Sequence, residues 1–160
     1  MTQIYYTPIG IIHSSFTEIA GMPIQPSGAL GVQGWVEIEP KFLPALRDLD
    51  GFSHLILLYH FHRATEVTLT VTPFLDTEKH GIFATRAPKR PNPIGLSIVK
   101  LLKVEGNILR LENVDILDQT PLLDIKPYVP YFDRPEVEKV GWLEKNKDQV
   151  QGKRSDERFG

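Results

Sequence analysis

A proline-rich segment, HGIFATRAPKRPNPIGLS at residues 80–97, holds the densest group of side chains in this chain that could do chemistry. Pro88, Pro91 and Pro93 each fix φ and remove a backbone donor, so the segment can form neither a helix nor an inner strand. The side chains able to bind a carboxylate, a phosphate or a base edge are Arg86, Lys89, Arg90 and Asn92. The pattern predicts a rigid binding loop on a stable scaffold.

A pair of histidines offers a second kind of chemistry. His60 and His62 lie on one face of a predicted strand, and Glu66 follows four residues after His62. HxH-x3-E is the spacing of a metal-binding cupin-type barrel, in which imidazoles and a carboxylate bind the ion. The glycine expected upstream in that motif is His54 here, and no later segment supplies a third histidine. We therefore favour packed or pocket histidines and expect no metal.

Three aspartates lie close together in DILDQTPLLDIKPY, residues 115–128. Asp118 begins the tight-turn sequence Asp-Gln-Thr-Pro, which favours a structural role for it over an acid–base role. Asp124 lies inside an apolar run and needs a partner, which Lys126 can supply from the same face of a strand.

Composition and missing motifs exclude several classes of protein. The 160 residues include no cysteine, so disulfides, thiolate zinc sites and cysteine nucleophiles are absent. The glycines at 28, 31 and 34 are spaced GxxGxxG, not as the GxGxxG of dinucleotide-binding folds, and neither a GxSxG nor a Walker loop occurs. A net charge of −2 leaves nucleic-acid binding to a local patch. Without a signal peptide or a long apolar run, the chain is expected to be soluble and cytoplasmic.

The elements that must position these side chains are mostly strands that follow one another. Residues 4–12, 35–38, 53–62, 67–71, 94–104, 108–114 and 122–125 read as strands, and residues 40–49 and 136–150 as helices. Consecutive strands without alternating helices predict a mainly β fold, a small and mostly antiparallel β-barrel with one or two helices. We expect one domain over residues 1–143, followed by a helix end and charged tail over 144–160. The proline-rich turns, the early glycine-rich loop and the end of the 53–62 strand are expected to meet at one mouth of the barrel.

Four segments resemble a known family. PIGIIHSSF, DGFSHLILLYHFH, HGIFATRAPKRPNPIGLSIVKLLKV and VDILDQTPLLDIKPYVPYFD are similar to the TsaA-like tRNA methyltransferases, which use S-adenosylmethionine. The resemblance extends over about residues 7–143. It implies a non-Rossmann methyltransferase built on a small β-barrel, methylation of N6 of threonylcarbamoyladenosine beside the anticodon of threonine tRNA, and a homodimer.

The resemblance also implies a cofactor pocket. Its residues would be Gln25, Pro26, Ser27, Phe61, His62, Arg86, Leu96, Asp118, Gln119, Thr120 and Pro121. Phe61 can lie against the adenine or the sulfonium, and Arg86 can bind the methionine carboxylate. Many relatives have glycine where this chain has Gln119, which predicts a different backbone geometry in that turn.

The implied reaction is an in-line displacement at the methyl group, with His62, Asp124 and Tyr128 as unranked candidates for the base. Residues left for the RNA are Arg63, Lys89, Arg90, Asn92 and Lys126. Two alternatives stay open. One is a metal-dependent, cupin-like small-molecule enzyme using His60, His62 and Glu66; the other is a non-catalytic module that binds an adenosine ligand or RNA.

Overall fold

Eight β-strands and one short α-helix form the regular structure of residues 1–24 and 26–149, the part of the chain described by a computed structural model. The strands are β1 Gly10–His13, β2 Gln33–Ile38, β3 His54–His60, β4 Thr70–Val71, β5 His80–Gly81, β6 Ile94–Glu105, β7 Ile108–Glu112 and β8 Thr120–Pro127. The helix, α1, spans Pro130–Asp133, and 3-10 helices span Pro26–Ala29, Pro40–Leu46, Leu49–Gly51, Ile82–Ala84 and Gly141–Gln149.

Six of the strands close into a barrel in the order β1-β2-β7-β6-β3-β8. Every neighbouring pair is antiparallel, including β8 with β1, which completes the ring. The remaining pair, β4 and β5, forms a separate two-stranded sheet beside the barrel. The predicted antiparallel barrel is confirmed, and its closure removes the unpaired strand edges that an open sheet would expose.

The interior of the barrel is filled by alternate side chains of its strands. In β3, buried positions at Leu55, Leu57 and Tyr59 alternate with partly exposed ones, as the period of two along a strand requires. The other buried members of this core are Ile12, Val36, Ile38, Val99, Leu109, Leu111, Val114, Ile116 and Leu122. Because apolar side chains fill the barrel interior, the site is formed by the polar segments at the ends of the strands.

The longest strand, β6, runs from the end of the proline-rich loop into a hairpin with β7. Gly106 in the turn has φ +61°, a conformation in which glycine avoids the strain of a side chain. The side chain of Asn107 donates a hydrogen bond to the carbonyl of Ile38 at 3.0 Å, which ties the turn to β2. The hairpin predicted around residues 105–107 is confirmed.

Both predicted helices differ from the structure in kind or extent. Residues 40–49 form a 3-10 helix over Pro40–Leu46 that stops before Asp48, which has φ +66°. Pro44 lies inside it and has no N–H to donate, so a regular α-helix cannot continue there. Over residues 136–150, the structure has a 3-10 helix at Gly141–Gln149, and Val150 lies outside the described residues. None of the described helices is long and apolar enough to cross a membrane.

Two predicted strands are shorter than expected. The first begins at Gly10 because Pro8 interrupts the apolar run before it. Of residues 67–71 only Thr70–Val71 pair, and their partner is β5. Val71 and Ile82 form a small second core with Phe74 and Ala87, which supports the loop that follows.

Candidate active site

A cavity of about 970 Å³ opens where the proline-rich loop meets β3 and β6. Its walls are mainly apolar and aromatic, with a few polar groups facing in, as is typical of small-molecule sites. The early loop contributes Ile19 and Met22, and the C-terminal 3-10 helix contributes Trp142 and Leu143. The other residues that matter for the chemistry are Tyr59, Phe61, Phe74, Phe83, Arg86, Arg90, Leu96 and Asp115.

The aromatic floor of the cavity depends on one glycine of β6. The rings of Tyr59 and Phe61 meet edge to face with centroids 5.5 Å apart. Gly95 lies directly against both, and a Cβ at this position would overlap the Tyr59 ring and lie 2.9 Å from Cζ of Phe61. The glycine in PNPIGLS therefore makes room for the two aromatic rings.

Below this floor, a chain of hydrogen bonds joins β3, β6 and the segment after β7. The hydroxyl of Ser97 donates to Oδ1 of Asp115 at 2.6 Å, and the oxygens of Tyr59 and Ser97 are 2.9 Å apart. Ser97 has one hydroxyl hydrogen, which goes to the carboxylate, so Tyr59 donates to Ser97. Ser97 is buried in the barrel wall. Its hydrogen bonds therefore hold Asp115 in place at the edge of the cavity.

Burial controls the electrostatics of this group. It raises the pKa of Asp115 to about 6, and the hydrogen bond from Ser97 and the charge of Arg86 only partly oppose that rise. The pKa of Tyr59 is raised above its ordinary value, first by burial and then by the nearby Asp115 charge. The tyrosine is therefore a neutral donor at physiological pH, and Arg86 and Asp115 lie close enough to influence each other.

A second, smaller cavity of about 110 Å³ adjoins the first and shares Tyr59, Phe61 and Asp115 with it. His62 lines it, and Nδ1 of His62 lies 3.3 Å from the hydroxyl oxygen of Thr120. Burial is the main reason that the pKa of His62 is lowered, with Arg63 and His60 adding to the effect. His62 is therefore mostly neutral at pH 7 and able to accept a proton.

The turn that leads into β8 is fixed by Asp118. Its Oδ1 accepts a hydrogen bond from the backbone N–H of Ser14 at 3.0 Å, and its own N–H donates to the carbonyl of Phe16 at 2.7 Å. The next residue, Gln119, has φ +65°, the left-handed region in which glycine is least strained. Its side chain reaches Nδ1 of His13 and Oδ2 of Asp118 at 3.1 and 3.2 Å. Gln119 thus keeps a glycine-like backbone, with side-chain contacts that a glycine would not make.

Within the proline-rich loop, two of the predicted RNA-binding cations are engaged by the protein. Arg90 donates from Nη1 to the carbonyls of Thr85 and Ala87 at 3.0 and 3.2 Å. Lys89 lies 3.5 Å from Glu66, and its side chain is only 12% exposed. These contacts hold the loop in shape.

The residues of the HxH-x3-E pattern do not converge. Glu66 pairs with Lys89, and no group of three histidine, aspartate or glutamate side chains in the described part of the chain is arranged to hold a metal ion. The described residues thus give the metal-dependent alternative no ligand set.

Asp124, Lys126 and Tyr128 lie away from both cavities. Lys126 and Asp124 form an ion pair at 2.8 Å, the contact expected from their shared strand face. The N–H of Tyr128 donates to the carbonyl of His54, at the start of β3, whereas His62 follows the end of that strand. At about 3.3 Å per residue, β3 separates these two positions by roughly 20 Å or more.

The remaining predicted residues fall into three groups. Phe61, Arg86, Leu96 and Arg90 line the large cavity, while Phe61, His62, Arg63 and Thr120 line the small one. Pro121 pairs with Ile11 in the barrel, and the carbonyl of Asn92 accepts a hydrogen bond from Ile94. Gln25 lies outside the described residues, and Pro26 and Ser27 begin the 3-10 helix that follows it.

Two features of the site have no clear signal in the sequence. Ser97 and Asp115 are 18 residues apart, and only the barrel register brings them together. Trp142 stacks on His80 with ring centroids 4.9 Å apart and donates from Nε1 to the carbonyl of Ala84 at 2.8 Å. Asp76 in turn lies 2.7 Å from Nε2 of His80, so this cluster holds the C-terminal wall in place.

A closed antiparallel barrel with an aromatic cavity that contains arginine and carboxylate groups defines a ligand-binding fold distinct from Rossmann enzymes. Residues 11–134 match the model of the tRNA-methyltransferase O N-terminal domain. The chain belongs to this family.

Individual relatives agree with that assignment. A probable S-adenosyl-L-methionine-binding protein of Pyrococcus abyssi is 58% identical over 157 residues, 98% of this chain and 85% of that protein. The tRNA (adenine(37)-N6)-methyltransferase of Mus musculus is 39% identical over 81% of this chain but 32% of its own length. The crystal structure of TrmO from Pseudomonas aeruginosa matches with a TM-score of 0.74 and 40% identity, covering 88% of this chain and 63% of that one. The chain thus spans most of one relative and one to two thirds of the others.

Proposed function

We propose that this protein is an S-adenosylmethionine-dependent tRNA methyltransferase that modifies the N6 nitrogen of an adenosine beside the anticodon. The names of its relatives support both the cofactor and the reaction. The observation in the structure that carries the proposal is the cavity in which Phe61, Arg86 and Asp115 face the same space. An aromatic ring, a guanidinium and a carboxylate match the adenine, the methionine carboxylate and the positive charge of the cofactor.

When bound, S-adenosylmethionine supplies an electrophilic methyl group on a sulfonium. The residues have three tasks: to orient the cofactor, to keep water out and to receive the proton that the N6 nitrogen loses. Orientation falls to Phe61 and Arg86, and the apolar walls of the cavity exclude water. Because the methyl transfer itself needs no covalent bond to the protein, the rate depends mainly on this positioning.

His62 is the base that the geometry favours within one chain. It lines the small cavity that adjoins the proposed cofactor site, and burial lowers its pKa so that it is neutral and able to accept a proton. Tyr128 lies roughly 20 Å or more from His62 along the barrel, and Asp124, which pairs with Leu58, lies roughly 13 Å from it, on the evidence of their strand register. Neither residue lines either cavity, so we propose that each would reach the reaction from a second copy of the chain, in keeping with the homodimer that we propose for this protein.

The specific nucleoside that we propose as substrate is N6-threonylcarbamoyladenosine of threonine tRNA. We propose that the reaction takes place in the cytoplasm. With a net charge of −2, the protein needs a local set of cations to hold the phosphates. Arg63 is the exposed candidate beside the small cavity, and Lys126 is exposed at the far end of β8. Lys89 and Arg90 already contact Glu66 and the carbonyl of Thr85. Their main role is to stabilise the loop, and RNA binding is a secondary role.

A transfer assay tests the proposed activity. The protein is incubated with methyl-labelled S-adenosylmethionine and tRNA prepared from cells that lack this methylation, and label in the recovered tRNA is counted. We expect label to accumulate in proportion to enzyme and to be lost with Phe61→Ala and Arg86→Ala. Binding of the cofactor by calorimetry without transfer to any tRNA would instead favour a non-catalytic adenosine-binding module.

A further inference from the structure

Asp115 is the one carboxylate among the described residues that line either cavity. It contributes to the wall that the two cavities share, together with Tyr59, Phe61 and Pro88. The charged groups that accompany it in the large cavity are arginines, and Arg90 is engaged by the backbone carbonyls of Thr85 and Ala87. A ligand that enters this space therefore meets one negative charge at a defined place.

The Asp115 carboxylate is held firmly from behind. Tyr59 donates to Ser97, which donates to Oδ1, so the oxygen is fixed by two side chains of neighbouring barrel strands, β3 and β6. Such a preorganised group needs little rearrangement when a ligand binds. A partly buried carboxylate attracts a cation more strongly than an exposed one does, because the dielectric constant around it is lower.

We propose that Asp115 is a specificity-determining residue that binds the positive sulfonium of S-adenosylmethionine and thereby distinguishes it from the neutral thioether product. The inference deepens the proposed function and rests on it. In the transfer, the carbon–sulfur bond breaks as the nitrogen–carbon bond forms. The electron pair stays on sulfur, which loses its charge, and the N6 proton passes to the base. The attraction to Asp115 is thus present before the reaction and absent after it.

This difference gives the carboxylate a clear role. It strengthens binding of the charged cofactor and not of S-adenosylhomocysteine, so spent product leaves and fresh cofactor replaces it. Arg86 cannot make this distinction, because the methionine carboxylate that it would bind is the same in both molecules. Only a group that faces the sulfur centre is sensitive to the lost charge.

Calorimetry with three ligands tests the proposal on the Asp115→Asn variant, which preserves the size of the side chain and an acceptor for Ser97. The ligands are S-adenosylmethionine, S-adenosylhomocysteine and sinefungin, which has an amine-bearing carbon in place of the sulfonium. We expect the variant to bind S-adenosylmethionine and sinefungin roughly 10- to 100-fold more weakly, as for loss of a charge-assisted contact, and S-adenosylhomocysteine within about twofold of wild type.

Glu112→Gln is the matched control, since it removes one negative charge, paired with Lys100 at 3.5 Å, from outside both cavities. It should change none of the three affinities. The quantity compared is the ratio of the affinities of two ligands for the same protein sample. Partial misfolding of a variant affects both affinities alike and cancels in this ratio.

Three results would overturn the proposal. An equal loss of affinity for all three ligands would mean that Asp115 binds the amino-acid group that they share, or that it only positions Arg86. Unchanged binding with a large loss of kcat would make Asp115 the base. No change in either would leave it a structural residue. Failure of the wild-type protein to bind any of the three ligands would contradict the proposed function instead.

Discussion

Gly95 on β6 lies against the ring of Tyr59 on β3, with no room between them for a side chain. The two residues face each other in the strand register, and the hydroxyl of the same tyrosine begins the hydrogen-bond chain to Asp115. A single packing contact thus sets the position of the aromatic floor and of the carboxylate together. Glycine is required here by the close approach of the Tyr59 ring and not by the backbone conformation, since φ of Gly95 lies outside the left-handed region.

Replacing Gly95 with alanine should therefore damage both the fold and the site. A Cβ here overlaps the Tyr59 ring, so the ring must move, and overpacking of this kind costs about 1–3 kcal/mol of unfolding free energy. We also expect at least a tenfold loss of S-adenosylmethionine affinity, measured by calorimetry. Gly51→Ala is the control, because nothing lies within 4 Å of a Cβ at that position. Equal melting temperatures and affinities for the two variants would refute the packing argument.

Removing the guanidinium of Arg86 should weaken the binding of ligands that have the amino-acid carboxylate and spare ligands that lack it. We expect Arg86→Ala to weaken S-adenosylmethionine and S-adenosylhomocysteine by a similar factor, roughly 10- to 100-fold, since both have the amino-acid carboxylate. Binding of 5′-methylthioadenosine, which lacks that group, should hardly change. Arg86→Lys should recover only part of the affinity, because lysine cannot offer two parallel donors. If all three ligands weaken alike, Arg86 has a different role.

Cofactor affinity should depend on pH through Asp115. Its pKa of about 6 means that the carboxyl takes up a proton as the pH falls through 6 and loses the charge that attracts the sulfonium. The dissociation constant of S-adenosylmethionine should rise as the pH falls below 6 and level off at roughly the 10- to 100-fold increase expected for Asp115→Asn. Arginine keeps its charge over this range, and the pKa of Tyr59 is raised still further above it.

S-adenosylhomocysteine and the Asp115→Asn variant provide the comparison for this effect. His62, whose pKa is lowered, is present in both proteins, so comparing the ratio of the two dissociation constants between the wild type and Asp115→Asn isolates Asp115. That ratio should vary with pH in the wild type and be flat in Asp115→Asn. A ratio independent of pH from 5 to 8 in the wild type would argue against an ionised Asp115 at the sulfur.

The choice of base can be decided by comparing His62→Ala with Tyr128→Phe. If His62 receives the proton, its loss should lower kcat by about 10²- to 10⁴-fold with little change in cofactor affinity, and the acidic limb of the kcat profile at saturating S-adenosylmethionine should disappear. Tyr128→Phe should then retain most of the activity. If both variants are nearly inactive, mixing them tests the dimer, since a site with His62 from one copy and Tyr128 from the other would regain activity. Failure of the mixture to recover would place both requirements in one chain.

The sequence predicts structural features that depend on neighbouring residues better than features that depend on residues far apart in the chain. The apolar run within residues 53–62 and the glycine-containing turn at 105–107 are local signals, and the strand and the hairpin that they predict are both confirmed in the barrel. The helix over 40–49 is only partly predictable, because the apolar stripe indicates a helix whereas Pro44 prevents an α-helix.

The site is predictable where a residue belongs to a motif and not where it depends on register. Arg86 and His62 stand out by type and spacing. Ser97 and Asp115 meet because β6 and the segment after β7 lie side by side, and the aspartate looks like one of three equivalent carboxylates in the sequence. Trp142 reaches the cavity through its stacking on His80, a contact 62 positions apart that local patterns do not encode.

The most direct test of the proposed activity is nucleoside mass spectrometry of tRNA after reaction with S-adenosylmethionine, with fragments mapped around the anticodon. We predict a gain of one methyl group, about 14 mass units, on the modified adenosine next to the anticodon, with the methyl retained on the base-containing fragment. Methylation elsewhere in the tRNA, or on the ribose, or no mass change despite measured cofactor binding, would contradict the account.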